Sequence, residues 1–500
     1  MATAADLEPA DSEPESDSAV GEPDARVGTL AAQIARRIEA DVIRRGWPVG
    51  ESLGSEVDLR ERFGVSRAVL REAVRLVEHH QVAKMRRGPN GGLFVCAPDA
   101  GPATRAMVIY LEYVGTSVTD LLHARLLLEP IAAGLAADRV TEDGIDTLRA
   151  TLGDEVAHWD EPGVHSQDPL HPVLGQLSGN PALHLFIDVL TRLTARYAHT
   201  SRRLSKAEMH TAKETSHEAH RAVVDAVIAG DAARAQTALG AHLESVAAWI
   251  EKHRVRRRGP RIAGNVVEPE LVEGPRAKLA EVVAARIHDD IAARGWQVGQ
   301  VLGSEADLLA RYGVSRAVLR EAVRLLEYHS VARMRRGPGG GLVVAEPEPQ
   351  ASIDTMALFL EYQGVTGDDL RIVRNAVELG IVARVAVRQA EGDAEVADRL
   401  AKAVRWTTEG PAEDARKADL FHAELAELAH NPVLSLFLSI ITELFRRHAA
   451  GRDRPLPGDT AAEEVQHVHQ RVLDAILEGD AGLARHRMRR HLDALISWWH

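Results

Sequence analysis

The chain has 500 residues, which is too long for one hydrophobic core and predicts several domains. Its 4% aromatic content, set against 45% hydrophobic residues, favours helices over sheets. The single cysteine, Cys96, excludes an intrachain disulfide and predicts a reducing cytoplasm, and the lack of any apolar run of about 18 residues predicts no membrane span.

The net charge of −13 argues at first against a nucleic-acid-binding protein, but the charge is unevenly distributed. Residues 1–25 carry eight acidic side chains and no basic one, so we expect residues 1–26 to form a disordered acidic tail. Because DNA responds to the charge of the surface that docks on it, the total charge does not exclude DNA binding.

The chain repeats itself half a length apart. Residues 46–95 align without a gap with residues 295–344 at an offset of 249, and 37 of the 50 positions are identical. The segments that follow repeat more faintly. Such a duplication predicts a pseudo-two-fold molecule, and two-fold molecules often bind two-fold DNA sites. The expected order is an acidic tail (1–26), a small domain (27–98), a helical domain (104–252), a linker (253–275), a second small domain (276–347) and a second helical domain (352–500).

Each small domain has the pattern of a helix-turn-helix. Ser55 is a capping residue before a helix that reaches Phe63, and Gly64 supplies a tight turn. Ser66 can cap a second helix over 67–79, whose apolar residues recur at helical spacing. The N-terminal end of such a second helix enters the major groove of DNA, where arginine contacts guanine edges or phosphates.

A basic hairpin follows the second helix. Residues 82–95 contain two short apolar-rich segments around a Pro-Asn-Gly turn, which predicts a β-hairpin that serves as a wing. An arginine stripe on one helix is by itself often a solvated face. Here the stripe, the capped turn and the basic hairpin occur together twice, which favours DNA contact. The expected contacts are Arg67, Arg71, Arg86 and Arg87 in the first copy and Arg316, Arg320, Arg335 and Arg336 in the second.

These residues resemble the winged-helix domain of the GntR family of bacterial transcription factors, through S-E-x-D-L, then G-V-S-R-x-x-L-R-E-A, then R-R-G-x-x-G-G. The helical segments resemble the sensing domain of its FadR branch. The resemblance implies a mainly α fold with two winged helix-turn-helix domains, each followed by an all-α helical-bundle sensing domain. Val57 and Ala306 stand where family members often carry arginine. The resemblance assigns DNA contacts to Ser66, Arg67, Arg71, Arg87 and Gly88, and to Ser315, Arg316, Arg320, Arg336 and Gly337.

Histidines in each helical domain predict a metal site. His220 and His242 are each eleven residues from Asp231, so a helical hairpin turning there places them level with each other. His171 lies on a third helix, with Asp168 one turn before it. One such histidine is more often a hydrogen-bonded core residue, but three in both copies suit a divalent transition ion such as zinc. The second set is Asp419, His422, His469 and His491.

The resemblance bears on these sites in two ways. In the metal-binding members of the family, the three histidines are the metal ligands, but the aspartate usually lies four residues before the first histidine, whereas Asp168 and Asp419 lie three before. Arg125 and Arg374 each precede a glutamate by four residues, which is the spacing of an intrahelical ion pair. The resemblance implies instead that these arginines bind an anionic effector, and both interpretations stay open.

The preferred function is a ligand-responsive, sequence-specific transcription regulator, expected to be a repressor. In it, two winged helices bind a palindromic operator, and a carboxylic acid or acyl metabolite in the sensing domains lowers the DNA affinity. It is expected in the bacterial cytoplasm, associated with the nucleoid and not with membranes, and without catalytic residues. A metal-dependent hydrolase fused to DNA-binding modules and an effector-independent architectural DNA-binding protein are the alternatives. The chain is expected to act as a pseudo-dimer, and a further pairing of two chains stays open.

Overall fold

The structure is a computed structural model, and it describes residues 30–88, 91–157, 169–198, 205–253, 275–337, 339–400, 415–450 and 459–499. The chain divides after Cys96 into two compact units. The acidic tail and nearly all of the expected linker lie outside the described residues. Every helix within the described ranges is too short or too polar to span a bilayer.

The first unit is a three-helix domain with a two-stranded hairpin. Its hairpin is antiparallel and pairs Ala83 with Val95 at one end and Arg86 with Gly92 at the other. The side chain of Trp47 closes the domain by donating from Nε1 to the carbonyl of Cys96 at 2.7 Å. The elements are α1 (Leu30–Arg44), α2 (Glu56–Phe63), α3 (Arg67–His79), β1 (Ala83–Arg86) and β2 (Gly92–Val95).

Local sequence signals define where α2 and α3 begin. Ser55 and Asp58 form a capping box at the start of α2, in which each side chain accepts a hydrogen bond from the other residue's backbone N–H. Gly64 ends α2 in the left-handed conformation with φ 62°, which a residue with a side chain adopts at a cost. Ser66 caps α3 by accepting from the backbone N–H of Val69. Capping, turn and capping thus follow one another as the helix-turn-helix pattern predicts.

The second unit contains two helical bundles and a second winged helix. The first bundle comprises α4 (Ala100–Tyr113), α5 (Val118–Arg139), α6 (Glu142–Ala157), α7 (Leu170–Leu177), α8 (Pro181–Ala198), α9 (Lys206–Ile228) and α10 (Ala232–His253). The second winged helix comprises α11 (Pro275–Ala293), α12 (Glu305–Tyr312), α13 (Arg316–Tyr328), β3 (Ala332–Arg335) and β4 (Gly341–Val344). The second bundle comprises α14 (Pro349–Tyr362), α15 (Gly367–Ala390), α16 (described over 394–400), α17 (Ala415–Leu428), α18 (Pro432–Ala450), α19 (Asp459–Leu477) and α20 (Ala481–Trp499).

The second winged helix packs on the first bundle, through α4. The ring of Tyr113 meets that of Trp296 edge to face, with centroids 5.5 Å apart. The Tyr113 hydroxyl donates to the Glu346 carboxylate at 2.9 Å. Nearby, His288 Nε2 lies 3.3 Å from the Glu112 carboxylate, and both side chains are 9% exposed. This winged helix therefore contacts the bundle of the opposite half of the chain.

The two bundles share one hydrophobic core. Helices α8 and α18 meet where the rings of Phe186 and Phe437 stack, with centroids 3.9 Å apart. Two reciprocal hydrogen bonds accompany the stack, from Asn180 Nδ2 to the carbonyl of Asp369 (3.0 Å) and from Asn431 Nδ2 to the carbonyl of Asp120 (3.1 Å). These pairs exchange positions between the halves, which gives the packed bundles a pseudo-two-fold relation. The predicted fold class, mainly α with two winged helix-turn-helix domains and two helical bundles, is confirmed.

Candidate DNA-binding surfaces and histidine centres

The first candidate DNA-binding surface, the first reader, comprises Ser66, Arg67, Arg71, Arg86, Arg87 and Gly88, all of them exposed. Arg67 is the first residue of α3 and Arg71 lies one turn later. Their side chains are 61% and 58% exposed and share one acceptor, since each Nε contacts the Glu56 carboxylate, at 2.8 and 3.2 Å. Because exposed ion pairs of this kind contribute about 0–1 kcal/mol, DNA phosphates can displace Glu56 at little cost.

The wing carries the rest of the first reader. The Arg86 guanidinium lies over the ring of Phe94, 4.4 Å from its centroid, which holds this arginine against the hairpin. Arg87 and Gly88 follow at the turn, and Gly88 has φ 120°, a left-handed conformation that favours glycine. Pro89 and Asn90, the predicted turn residues, lie outside the described residues. The wing thus presents two exposed arginines at its turn end.

The second reader comprises Ser315, Arg316, Arg320, Arg335, Arg336 and Gly337, and all six are exposed. Ser315 caps α13 by accepting from the N–H of Val318, and Arg316 begins the helix. Here the ion pair with an acidic residue is longer, since Arg320 Nε lies 3.8 Å from the Glu305 carboxylate.

The two positions that depart from the family pattern are both exposed. Val57 is 59% exposed. The equivalent Ala306 is exposed as well, so the two positions that depart from the family pattern present apolar side chains to solvent.

The first histidine centre comprises His171 on α7, His220 on α9 and His242 on α10. All three side chains are buried, and their ligand atoms lie within 4.8 Å of one another. Nε2 of His220 and Nε2 of His242 are 3.1 Å apart. The helical hairpin predicted around Gly230 and Asp231 forms between α9 and α10, which places these two rings level.

Carboxylates hold the opposite edges of these rings. Glu129 on α5 lies 2.5 Å from Nδ1 of His171. Glu155 on α6 lies 2.8 Å from Nδ1 of His220 and 2.9 Å from Nδ1 of His217. Since an ionised carboxylate only accepts hydrogen bonds, each of these Nδ1 atoms carries a proton, and Nε2 is the nitrogen that each ring could offer to a metal in its neutral form.

Arg125 extends this chain of contacts by one residue. Its Nε donates to Glu129 at 2.5 Å, and both side chains are buried. Burial by itself raises the pKa of Glu129, but the charges of Arg125 and His171 outweigh it and bring this pKa to about 2. The intrahelical pair inferred from the spacing is therefore present, and it is a buried link between Arg125 and His171.

The second histidine centre comprises His422 on α17, His469 on α19 and His491 on α20. Nε2 of His491 lies 3.1 Å from that of His469 and 3.2 Å from that of His422. Burial, with the nearby charge of His422, lowers the pKa of His491 to about 3, and the pKa of His469 is lowered well below its usual value for the same reasons. Both rings are therefore neutral at neutral pH, as metal ligands must be.

The surroundings of the second centre repeat those of the first only in part. Glu378 bonds to Nδ1 of His422, and Arg374 Nε donates to Glu378 at 2.5 Å. Burial again opposes ionisation, yet the charges of His422 and Arg374 hold the pKa of Glu378 well below its usual value. The face of His469 is covered by a parallel Phe421 ring, with centroids 4.0 Å apart. Within the described ranges, an aromatic contact is thus found at the ring of His469, where the first centre has a second carboxylate at His220.

Sequence reasoning proposed two ligands that the structure does not describe and overlooked other residues. Asp168 lies outside the described residues, and Asp419 lies in α17 but its side chain is not among those described. Glu129 and Glu378 were considered only as ion-pair partners of the arginines. Their recurrence at the same position in both halves was the signal that could have identified them as part of the centres. Glu155 has no acidic residue at the equivalent position of the second half, so the repeat gives no signal for it. Nothing else in the sequence connects it with His220.

The donor sets fit a divalent transition ion. Two nitrogen ligands about 2.0–2.1 Å from a tetrahedral zinc ion are about 3.3 Å apart. The three closest Nε2–Nε2 distances, from 3.1 to 3.2 Å, approach that separation. Three imidazoles from three helices also leave a coordination position for another ligand, as catalytic and sensing sites require.

Comparisons with known proteins agree with these features. The model of the FCD domain matches residues 120–245 and 369–494, which together cover half of the chain. The model of bacterial regulatory proteins of the gntR family matches residues 30–95 and 279–342. Both matches fall twice, once in each half, as the repeat predicts.

Individual relatives match half of the chain at a time. The transcriptional repressor NanR of Enterobacter sp. (strain 638) is 26% identical over 44% of this chain and 84% of its own length. The putative L-lactate dehydrogenase operon regulatory protein of Escherichia coli (strain K12) is 29% identical over 43% and 84%. The transcriptional regulator LutR of Bacillus subtilis (strain 168) is 28% identical over 39% and 90%.

Among solved structures, the match with Streptococcus agalactiae GntR covers 43% of this chain and 98% of the GntR chain, with 27% identity and a TM-score of 0.31.

The helix-turn-helix geometry, the paired helical bundles and the matches to both family models lead to one conclusion. The chain belongs to the GntR family of bacterial regulatory proteins and carries the family's DNA-binding domain and its FCD sensing domain twice.

Proposed function

We propose that this ligand-responsive transcription regulator is a repressor whose two readers contact one palindromic operator. The observation that carries the proposal is the exposed arginine pair at the start of a serine-capped helix, which is followed along the chain by a basic wing, in both halves. Helix N-termini and arginines together suit phosphate and guanine recognition. The name of the relative NanR describes a repressor, which supports the same role here.

We assign the two histidine centres to a divalent transition metal, held by His171, His220 and His242 in the first bundle and by His422, His469 and His491 in the second. Their converging Nε2 atoms support this assignment. Asp168 and Asp419 stay candidate ligands. Bound metal would supply a Lewis-acidic position for an oxygen ligand.

We assign the effector to small organic anions, such as a carboxylic acid or an acyl metabolite. Arg125 and Arg374 support this class, because each is a buried guanidinium linked through one glutamate to a histidine of the centre. The name of one relative refers to a lactate dehydrogenase operon, which agrees with an acid as the signal.

We further propose that the centres do not catalyse hydrolysis. A hydrolase needs a general base beside the metal-bound water. Among the described carboxylates, Glu129, Glu155 and Glu378 contact the centres, and each is engaged by histidine Nδ1 atoms. They therefore orient the rings and are not available as bases. The shared core of the two bundles supports the pseudo-dimer, in which one chain supplies both halves.

Charge removal from both readers tests the DNA-binding proposal. The double variant Arg67→Gln, Arg316→Gln should lose at least about 30-fold in operator affinity, since each arginine contact contributes about 1–3 kcal/mol. The plot of log affinity against log salt should also become shallower by about two contacts. Fluorescence anisotropy with the chain's own upstream DNA measures both quantities, and native mass of the complex gives the number of chains per operator.

The matched control is Arg149→Gln, an exposed arginine of α6 that belongs to neither reader. It should leave the affinity and the salt dependence as they are in the parent protein. If the double variant behaved like this control, the readers would not be the DNA-binding surfaces and the proposal would fail.

A further inference from the structure

The two histidine centres share an inner arrangement and differ around one ring. Both have three buried imidazoles whose Nε2 atoms converge, and both have an arginine–glutamate–histidine chain behind the first histidine. The difference lies at the histidine that the long hairpin helix contributes, His220 on α9 and His469 on α19.

In the first centre this ring is held by a carboxylate. Glu155 accepts from His220 Nδ1 with one oxygen and from His217 Nδ1 with the other, at 2.8 and 2.9 Å. The carboxylate and the His217 ring are both 15% exposed, so the contact is largely screened from water. The proton of His220 is thereby fixed on Nδ1 and its lone pair on Nε2.

In the second centre the corresponding ring has an aromatic neighbour. Phe421 stacks on His469 at 4.0 Å, and among the described residues no carboxylate accepts from His469 Nδ1. Gln466 occupies the position that corresponds to His217 at the repeat offset. Stacking orients the ring but does not choose between its two tautomers.

The tautomer matters because a metal takes only the deprotonated nitrogen. A carboxylate on Nδ1 keeps Nε2 available and makes it more basic, and losing such an outer partner typically costs about 10–100-fold in metal affinity. Among the described residues, His469 has no such carboxylate to keep its proton on Nδ1. The two centres therefore differ in the support of one ligand while their three donor atoms are alike.

We propose that the two centres are unequal metal sites, in which the first binds a divalent transition ion about 10–100-fold more tightly than the second because Glu155 positions His220. Glu155 is a positioning residue and His217 is its second anchor. This inference rests on the proposed metal assignment and adds to it that one chain contains a high-affinity and a low-affinity site. At metal levels between the two affinities, only the first sensing domain is loaded.

Metal titration of the full-length, chelator-stripped protein tests the proposal. Zn²⁺ competed against a chromogenic chelator should reveal two classes of site with one ion in each and affinities about 10–100-fold apart. His242→Ala should abolish the tight class alone, and His491→Ala should abolish the weak class alone. Co²⁺ absorption should give the same assignment by a spectroscopic readout.

Glu155→Gln isolates the positioning role without removing a ligand. It should weaken the tight class about 10–100-fold and leave the weak class unchanged, whereas Asp146→Asn, an exposed acid on the same helix, should change neither. Equal affinities in the parent protein, or Glu155→Gln behaving like Asp146→Asn, would overturn the inference. Absence of metal binding at both centres is a different result, which would overturn the metal assignment itself.

Discussion

Among single residues, Glu56 is notable because it forms ion pairs with two arginines that are proposed to contact DNA. It holds Arg67 and Arg71 through one carboxylate, and these pairs must break before either arginine reaches a phosphate. Glu56 is also an acid close to the expected position of the DNA backbone, so it lowers affinity by repulsion.

Replacing this carboxylate should therefore strengthen DNA binding. Glu56→Gln should raise operator affinity by up to about fivefold, which corresponds to the roughly 1 kcal/mol of an exposed ion pair. Anisotropy titrations at low salt measure the change, and Glu61→Gln on the outer turn of α2 is the control. A lower affinity in Glu56→Gln would show that the carboxylate orients the arginines for DNA.

The lowered pKa values of His469 and His491 predict a pH dependence of stability. His491 has a folded pKa of about 3, whereas an unfolded histidine takes up a proton below about pH 6.5. The unfolded state thus binds more protons throughout that window, and stability falls as the pH falls. The chelator-treated protein should unfold at lower denaturant concentration at pH 5 than at pH 7.

His491→Gln removes one titrating group and should show a smaller loss between pH 7 and pH 5. Above pH 5 most carboxylates keep their charge, so the histidines dominate this range. Denaturant midpoints at pH 7, 6 and 5 are the measurement. An identical pH dependence in the parent protein and in the variant would exclude His491 as a source.

The role of a single residue could be predicted from the sequence when it depends only on neighbours in the same helix or hairpin. Ser66 as a cap, Arg67 at the first turn and the level pair His220 and His242 follow from spacing along one helix or hairpin. Glu155 could not be predicted, because it meets His220 across 65 positions of sequence and only when α6 lies beside α9.

At the scale of elements, a close helix contact positions the first histidine. Gly175 on α7 lies one turn after His171, and a Cβ placed on Gly175 would be 3.0 Å from Cα of His184 on α8. That separation is tighter than most side-chain contacts and involves backbone, which yields little. Helix α7 therefore approaches α8 as closely as a glycine permits, and this approach places His171.

Gly175→Ala should push α7 away from α8 and destabilise the bundle by about 1–3 kcal/mol. Metal affinity at the first centre should fall with it, because His171 moves from its partners. Gly153→Ala on α6 is the matched control, since its Cβ meets nothing within 4 Å and should add up to about 1 kcal/mol of stability. Denaturant unfolding and Zn²⁺ titration compare the two, and equal effects would disprove the close-packing account.

Helices and strands could be predicted where capping residues and turn residues mark their ends in the sequence. The bounds of α2 and α3 match the predicted helices because serine caps begin both and Gly64 separates them. The hairpin follows from its turn residues. Helix α1 was not predicted as an element, and its role comes from packing against α3.

At the scale of the whole molecule, the second winged helix is attached to the first sensing bundle. Sequence order suggests that each winged helix belongs with the bundle that follows it, but Tyr113 of α4 packs against Trp296 and bonds to Glu346. The sequence could not show this, since the choice depends on which apolar surfaces bury each other across nearly 200 positions of chain. The second winged helix is thus in direct contact with the first sensing bundle.

Weakening this contact should loosen the second winged helix alone. Tyr113→Ala should lower hydrogen-exchange protection in residues 275–344 by about tenfold, since an aromatic pair contributes up to about 1.5 kcal/mol. Tyr113→Phe keeps the ring and should have a smaller effect. Protection in α19 and α20 should stay constant in both variants, and a loss spread over all helices would indicate general unfolding instead.

The stack of Phe186 on Phe437 joins two bundles that the same polypeptide also links. A regulator assembled from separate subunits falls apart at low abundance, whereas covalent linkage keeps the effective concentration of one half near the other constant on dilution. A few copies per cell would then suffice to occupy an operator. Because both halves are encoded in one chain, a substitution in one half does not appear in the other. The two sensing domains can therefore come to bind different effectors in one molecule.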